Sequence, residues 1–144
     1  MEDLERYLNE IVDPTIEELA NHRTSVRHTF LACVAVFHAV DYLAYPRKPR
    51  TLRKQFNEES KAFAIVDDMA HAFKHVVAGN PAKPDLVAKD VITRPPAYFG
   101  TAVWDLSRWD DAHGGVTINR DTSIDLYDTV VEACLLYTSD AADE

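Results

Sequence analysis

Apolar residues recur at helical spacing through the first half of the chain and then lose that period. Leu4, Tyr7, Leu8 and Ile11 fall on one face of a short N-terminal helix, Glu2 to Val12. Asp13-Pro14 reads as an N-cap followed by proline at the first helical position, with Glu17 and Glu18 in a first turn that favours acid. Nothing breaks the pattern until Pro46, which predicts one long helix over roughly 14–44. Its centre, Phe30 to Phe37, is apolar all round. A proline-bracketed basic connector, PRKPR at 46–50, leads to a short helix capped by Thr51 and reaching about Glu59. Ser60 then opens an amphipathic helix through Val77 or Ala78, stopped by Gly79-Asn80-Pro81.

Beyond residue 80 the pattern becomes extended. Pro81, Pro84, Pro95 and Pro96 punctuate a segment holding Leu86 to Thr93, and Tyr98 to Leu106 has the aromatic and β-branched content of a strand. Asp110 to Gly115, DDAHGG, reads as a turn or loose loop. Val116 to Ile118 and Ser123 to Tyr127 alternate around Asn119 to Thr122 as a hairpin would, and Asp128 caps a last helix, Thr129 to Ala133. The predicted class is α+β, mainly α: a three- to four-helix bundle with a small C-terminal β-hairpin appendage. It forms one domain, 1–133, with a helical part at 1–80, an extended part at 81–127 and a truncated helix at 128–133.

The last eleven residues, CLLYTSDAADE at 134–144, resemble the translation of a transposon-type sequencing adapter read in one frame. On that reading they are foreign, and fold reasoning stops at about Ala133. Without Asp140, Asp143 and Glu144 the formal charge of −9 becomes −6, so the chain is acidic either way. Such a surface disfavours non-specific binding to phosphate backbones or anionic lipid. Without the tail, Cys33 is the only cysteine, expected as a small core residue in a reducing compartment, the cytoplasm. Residues 1–10 lack the profile of a signal peptide. The longest apolar run, Phe30 to Phe37, falls far short of the roughly 20 residues of a membrane span, so no membrane contact is expected.

Candidate chemistry sits on two helices. Asp67, His71 and His75 are four residues apart and share a face with Lys74; taken alone they are a solvated face with an ordinary Asp67–His71 pair. The long helix, however, carries His38 and Asp41 inside its apolar stretch, in line with Arg27 eleven residues earlier. Buried polar side chains need partners. The two seams are therefore expected to face each other and enclose a polar cluster of His38, Asp41, His71, Lys74 and His75. A local His38–Asp41 hydrogen bond is the simpler alternative. Asp67, His71 and His75, joined by His38 and Asp41, offer mixed nitrogen and oxygen ligation to Zn²⁺, Mn²⁺ or Fe²⁺, opposed by the ammonium of Lys74. There is no glycine-rich phosphate loop, cysteine pair for zinc or GxSxG elbow, and no cofactor is expected. Tyr98, Phe99, Trp104 and Trp109 lack the basic surround of a base-stacking surface and are expected to pack the appendage.

HAVDYL at 38–43 followed by FAIVDDMAHAFKH at 63–75 resembles a group of small bacterial and phage helical proteins with an H-x-x-[DE]-[YW]-[LV] helix and a later D-[LM]-x-x-x-x-K-H helix. The resemblance covers roughly Thr24 to Ala78 and falls on His38, Asp41, Tyr42, Asp68, Met69, Lys74 and His75; it implies no particular activity. More distantly, Arg23 to His28 is similar to the R-x4-6-H element of HEPN-type helical domains, whose ribonuclease members act on RNA. That resemblance implies Arg23 on the scissile phosphate, His28 moving protons, and a homodimer pairing two such sites. The leading expectation is a soluble, non-catalytic helical module that binds another protein, in a phage-related or defence setting. A metal-independent ribonuclease and a small metal-dependent hydrolase built on the His/Asp cluster are the alternatives.

Overall fold

A computed structural model describes residues 2–80 and 82–140. Helix α1 (Glu2–Tyr7) continues through a π-turn, Leu8–Val12, into α2 (Asp13–Asn21). The break expected at Asp13-Pro14 does not occur: Val12 and Asp13 both keep helical dihedrals, and the Asp13 N–H donates five residues back to Leu8 O. The wider turn lets the helix accommodate Pro14, which has no N–H and crowds the carbonyl one α-turn earlier. The helix predicted over 14–44 is instead two. The second, α3 (Val26–Ala44), restarts after Ser25, whose side chain accepts the His28 N–H.

Next come α4 (Arg50–Glu59) and α5 (Lys61–His75), the latter capped by Ser60, which accepts the Phe63 N–H. Val76, at φ 71°, ends α5 three residues before the predicted stop at Gly79. Gly79 and Asn80, expected to terminate that helix, belong instead to β1 (Val77–Asn80), antiparallel to β2 (Lys83–Val87). Pro81, the third residue of the predicted stop, lies outside the described residues. After a 3₁₀ turn at Ala88–Asp90, β3 (Val91–Arg94) pairs antiparallel with β4 (Gly115–Ile118), with Arg94 opposite Gly115.

The hairpin predicted around Asn119 to Thr122 does not form. One bridge, Ile118 to Asp121, is followed directly by α6 (Leu126–Asp140). The cap of α6 is Asp125, whose Oδ1 accepts the Tyr127 and Asp128 N–H groups, three residues before the predicted cap at Asp128. Helix α6 also runs past Ala133 and takes in residues 134–140 of the adapter-like segment; residues 141–144 lie outside the described residues.

The fold is α+β and mainly α, as predicted, with two short antiparallel strand pairs in place of one hairpin. Helix α3 is its axis, packed against α2, α5 and α6 and burying Ala32, Val36 and Val40. Cys33 is wholly buried there, and burial pushes its thiol up to about 12, in keeping with a packing role. Tyr7 fastens α1 to this axis: its ring stacks on Tyr42 at 4.2 Å and its hydroxyl donates to Ala35 O at 3.0 Å. No described helix is long and apolar enough to cross a membrane.

Candidate functional site

Helices α3 and α5 do bring their polar seams to a common place. His38, His71 and Lys74, with Arg53 of α4, line a cleft of about 340 Å³ floored by apolar side chains that include Phe30 and Phe37. Each imidazole leans on a carboxylate of its own helix: His38 Nδ1 lies 3.1 Å from Asp41 Oδ2, and His71 Nδ1 2.7 Å from Asp67 Oδ1. Both carboxylates are also held from α4, where Arg53 donates to Asp41 at 3.3 Å and Asn57 to Asp67 at 2.7 Å. Sequence reasoning missed this third helix, although Arg53 and Asn57 are four residues apart and so share a face.

The enclosed cluster that was expected is instead a half-open cleft, with the His38 and His71 side chains 50% and 43% exposed. Phe37 is the reason. It stands between the seams, with His38 and His71 edge-on to its ring at 5.2 and 5.3 Å and the Arg53 guanidinium 4.3 Å from its centre. Lys74 sits at the rim. His75 is exposed and outside the lining, its ring 6.3 Å from that of His71. With each Nδ1 turned to a carboxylate, Nε2 is the nitrogen left for a ligand. The cleft thus offers two imidazoles, an ammonium and a guanidinium to a small anionic or hydroxylated molecule.

The other candidates lie elsewhere. Arg23 is 3.8 Å from Asp125 and 3.9 Å from Asp128, and its guanidinium covers the Tyr127 ring at 3.8 Å. His28 stacks on His22 at 4.4 Å, with Nδ1 2.7 Å from Ser25 Oγ. A phosphate at Arg23 would have to displace the two carboxylates that face it here. Asp67 and His71 pair without drawing in His75, and among the described residues no group of three His, Cys, Asp or Glu is arranged to hold a metal.

Asp68, at the edge of the α5 seam, has its pKa raised to about 6, by burial first and then by Asp85 and Asp67, with His71 pulling the other way. An unfolded aspartate titrates near 3.9, so between about pH 4 and pH 6 the folded protein binds the extra proton. Stability therefore falls as pH rises through that window, and the full cost is present above it. Asp68→Asn is expected to gain about 1 kcal/mol at pH 7.5, a figure discounted for the half-exposed side chain, and nothing at pH 4. Urea denaturation at the two pH values checks this; an equal gain at both would assign the effect to something other than ionisation.

Two features had little or no sequence signal. The first is a buried ionic knot: Arg94 donates to Asp125 at 2.6 Å and to Asp111 at 3.0 Å. Burial opposes the charge on Arg94, but its hydrogen bonds to Asp125 and Asp111 outweigh that and raise its pKa. Burial likewise works against the Asp111 carboxylate, yet the hydrogen bond from Arg94 and those from the His113 and Gly114 N–H groups hold it below the ordinary range. Gly115 is required beside this knot, because a Cβ there would strike the Arg94 guanidinium and the Asp125 carboxylate.

The second is the excursion between β3 and β4. Tyr98 to Leu106, predicted as strand, contains none. The backbone is nevertheless fixed: Ala97 N–H donates to Asp111 O, Val103 N–H to Ser107 Oγ, and Ser107 Oγ to Pro95 O. On this frame the aromatic rings point outward. Phe99, Trp109 and Trp104 are 109%, 94% and 89% exposed, which overturns their expected role in packing the appendage. They and Tyr98 frame an open cleft of about 600 Å³. The chain matches no family model, and no curated protein or solved structure is significantly similar to it.

Proposed function

We propose that this protein is a non-catalytic binding module that engages another protein through the aromatic loop at 97–110. One observation carries the reading: three large rings, Phe99, Trp104 and Trp109, stand almost wholly in water on a hydrogen-bonded frame. Soluble chains seldom leave large apolar patches exposed unless they serve an interface, and tryptophan is the residue most enriched among interface hot spots. A fixed frame lowers the entropy lost when the loop is ordered against a partner. Among the described residues the His/Asp cleft on the helices is lined by no serine, threonine or cysteine and gathers no metal set, so it supports catalysis less well.

The test is a partner recovered with the purified protein and then titrated against variants. Trp104→Ala and Trp109→Ala are each expected to weaken that complex by about 30-fold or more, as hot-spot truncations do. Because both side chains are exposed, stability should stay within about 0.5 kcal/mol of the parent. A partner bound with unchanged affinity by the double variant would overturn the reading.

A further inference from the structure

The carboxylates that line the aromatic cleft outnumber its cations among the described residues. Asp105 and Asp110 line it, both exposed and, among the described residues, both without a side-chain hydrogen bond or ion pair. Among the described residues the cation in the lining is Arg108, which is turned away, donating through Nη2 to Thr122 O at 3.1 Å and to Ser123 O at 2.5 Å. Two unpaired carboxylates among four rings form a site for an organic cation. An ammonium or guanidinium within about 6 Å of a ring centre is attracted by the negative face of the ring, and a neighbouring carboxylate adds Coulomb attraction.

We infer that the cleft receives a basic segment of the partner protein, with lysine or arginine side chains seated among Tyr98, Phe99, Trp104 and Trp109 and facing Asp105 and Asp110. This rests on the reading of the loop as a protein-binding surface. Charge decides against the other occupants. A second copy of the chain would bring like carboxylates together across a two-fold axis. Nucleic acid or an anionic bilayer would meet Asp105 and Asp110 first, on a chain of formal charge −9. The backbone places both aspartates at positive φ, 61° for Asp105 and 58° for Asp110, a conformation that aspartate tolerates better than most residues.

The chain provides its own reporter, since its two tryptophans are both in the cleft. A blocked peptide with three lysines alternating with glycine, and its arginine counterpart, are expected to quench and shift tryptophan emission saturably. The same peptide with norleucine for lysine should not. Asp105→Asn/Asp110→Asn is expected to weaken the lysine peptide at least about tenfold, and raising salt should weaken it further. If the norleucine peptide binds as well and the aspartate variant changes nothing, the cationic assignment falls while the protein-binding loop stands. Emission that shifts with protein concentration alone, or with neutral lipid vesicles and with no peptide, would replace the basic segment with a second copy or a bilayer. If no peptide binds and a recovered partner ignores Trp104→Ala/Trp109→Ala, both the assignment and the reading beneath it fall.

Discussion

Arg94→Met is expected to remove about 3–5 kcal/mol of stability, a large share of the roughly 5–15 kcal/mol available to a domain of this kind. The Arg94 side chain is 3% exposed and the carboxylates it holds, Asp125 and Asp111, are 4% and 15% exposed. Methionine fills much of the same volume, so the loss is electrostatic. Two buried carboxylates lose their main counter-charge, leaving Asp125 with Arg23 at 3.8 Å and Asp111 with two backbone N–H groups.

The position of this knot makes the effect global. Asp125 also caps α6, so Arg94 on β3 links the loop ahead of β4, through Asp111, to the start of the last helix, through Asp125. The pH dependence separates ionic from packing loss. The folded pKa of Asp111 is depressed, so the stability it contributes is present above the unfolded value of about 3.9 and fades as pH falls through the lower folded value. The gap between parent and variant should therefore narrow in strong acid. A methionine variant within 1 kcal/mol of the parent at pH 7 would show that Arg94 is not the keystone of this corner.

Legibility in the sequence followed the range of the interaction that decides each element. The amphipathic course of α5 and the apolar centre of α3 were visible because 3.6-residue periodicity is local. So was the juxtaposition of His38 with His71, since a polar residue in an apolar stretch demands a partner. The break at 22–25 was not visible: His22, Arg23 and Thr24 are compatible with a helix, and Ser25 becomes a cap only once the chain turns there. Strand-like composition at 98–106 misled for a related reason. Strand propensity measures fit to a half-buried pleated surface, and this segment has no partner strand to supply one. Arg94 with Asp125, and Arg53 with Asp41, join residues 31 and 12 apart across separate elements, which no window of the sequence connects.

Tyr137→Ala is expected to cost about 3–5 kcal/mol, and Tyr137→Phe about 1 kcal/mol. The ring is wholly buried, edge-on to Phe56 at 5.9 Å, and its hydroxyl donates to Val36 O at 2.6 Å; burial leads the causes that raise its pKa. This residue belongs to the segment that resembles adapter translation, yet α6 carries it into the core in register. Val130, Ala133 and Tyr137 are three and then four residues apart, the spacing of one helical face, and all three are fully buried. A core selects for apolar side chains of suitable size at the right spacing, whatever the origin of the sequence that provides them. The groove between α3 and α4 therefore needs a large side chain at position 137 more than it needs this particular tail. Full-length Tyr137→Ala should then unfold, in urea, near the midpoint of the chain shortened to Ala133. A shortened chain as stable as the parent would mean that the core closes without α6 reaching that groove.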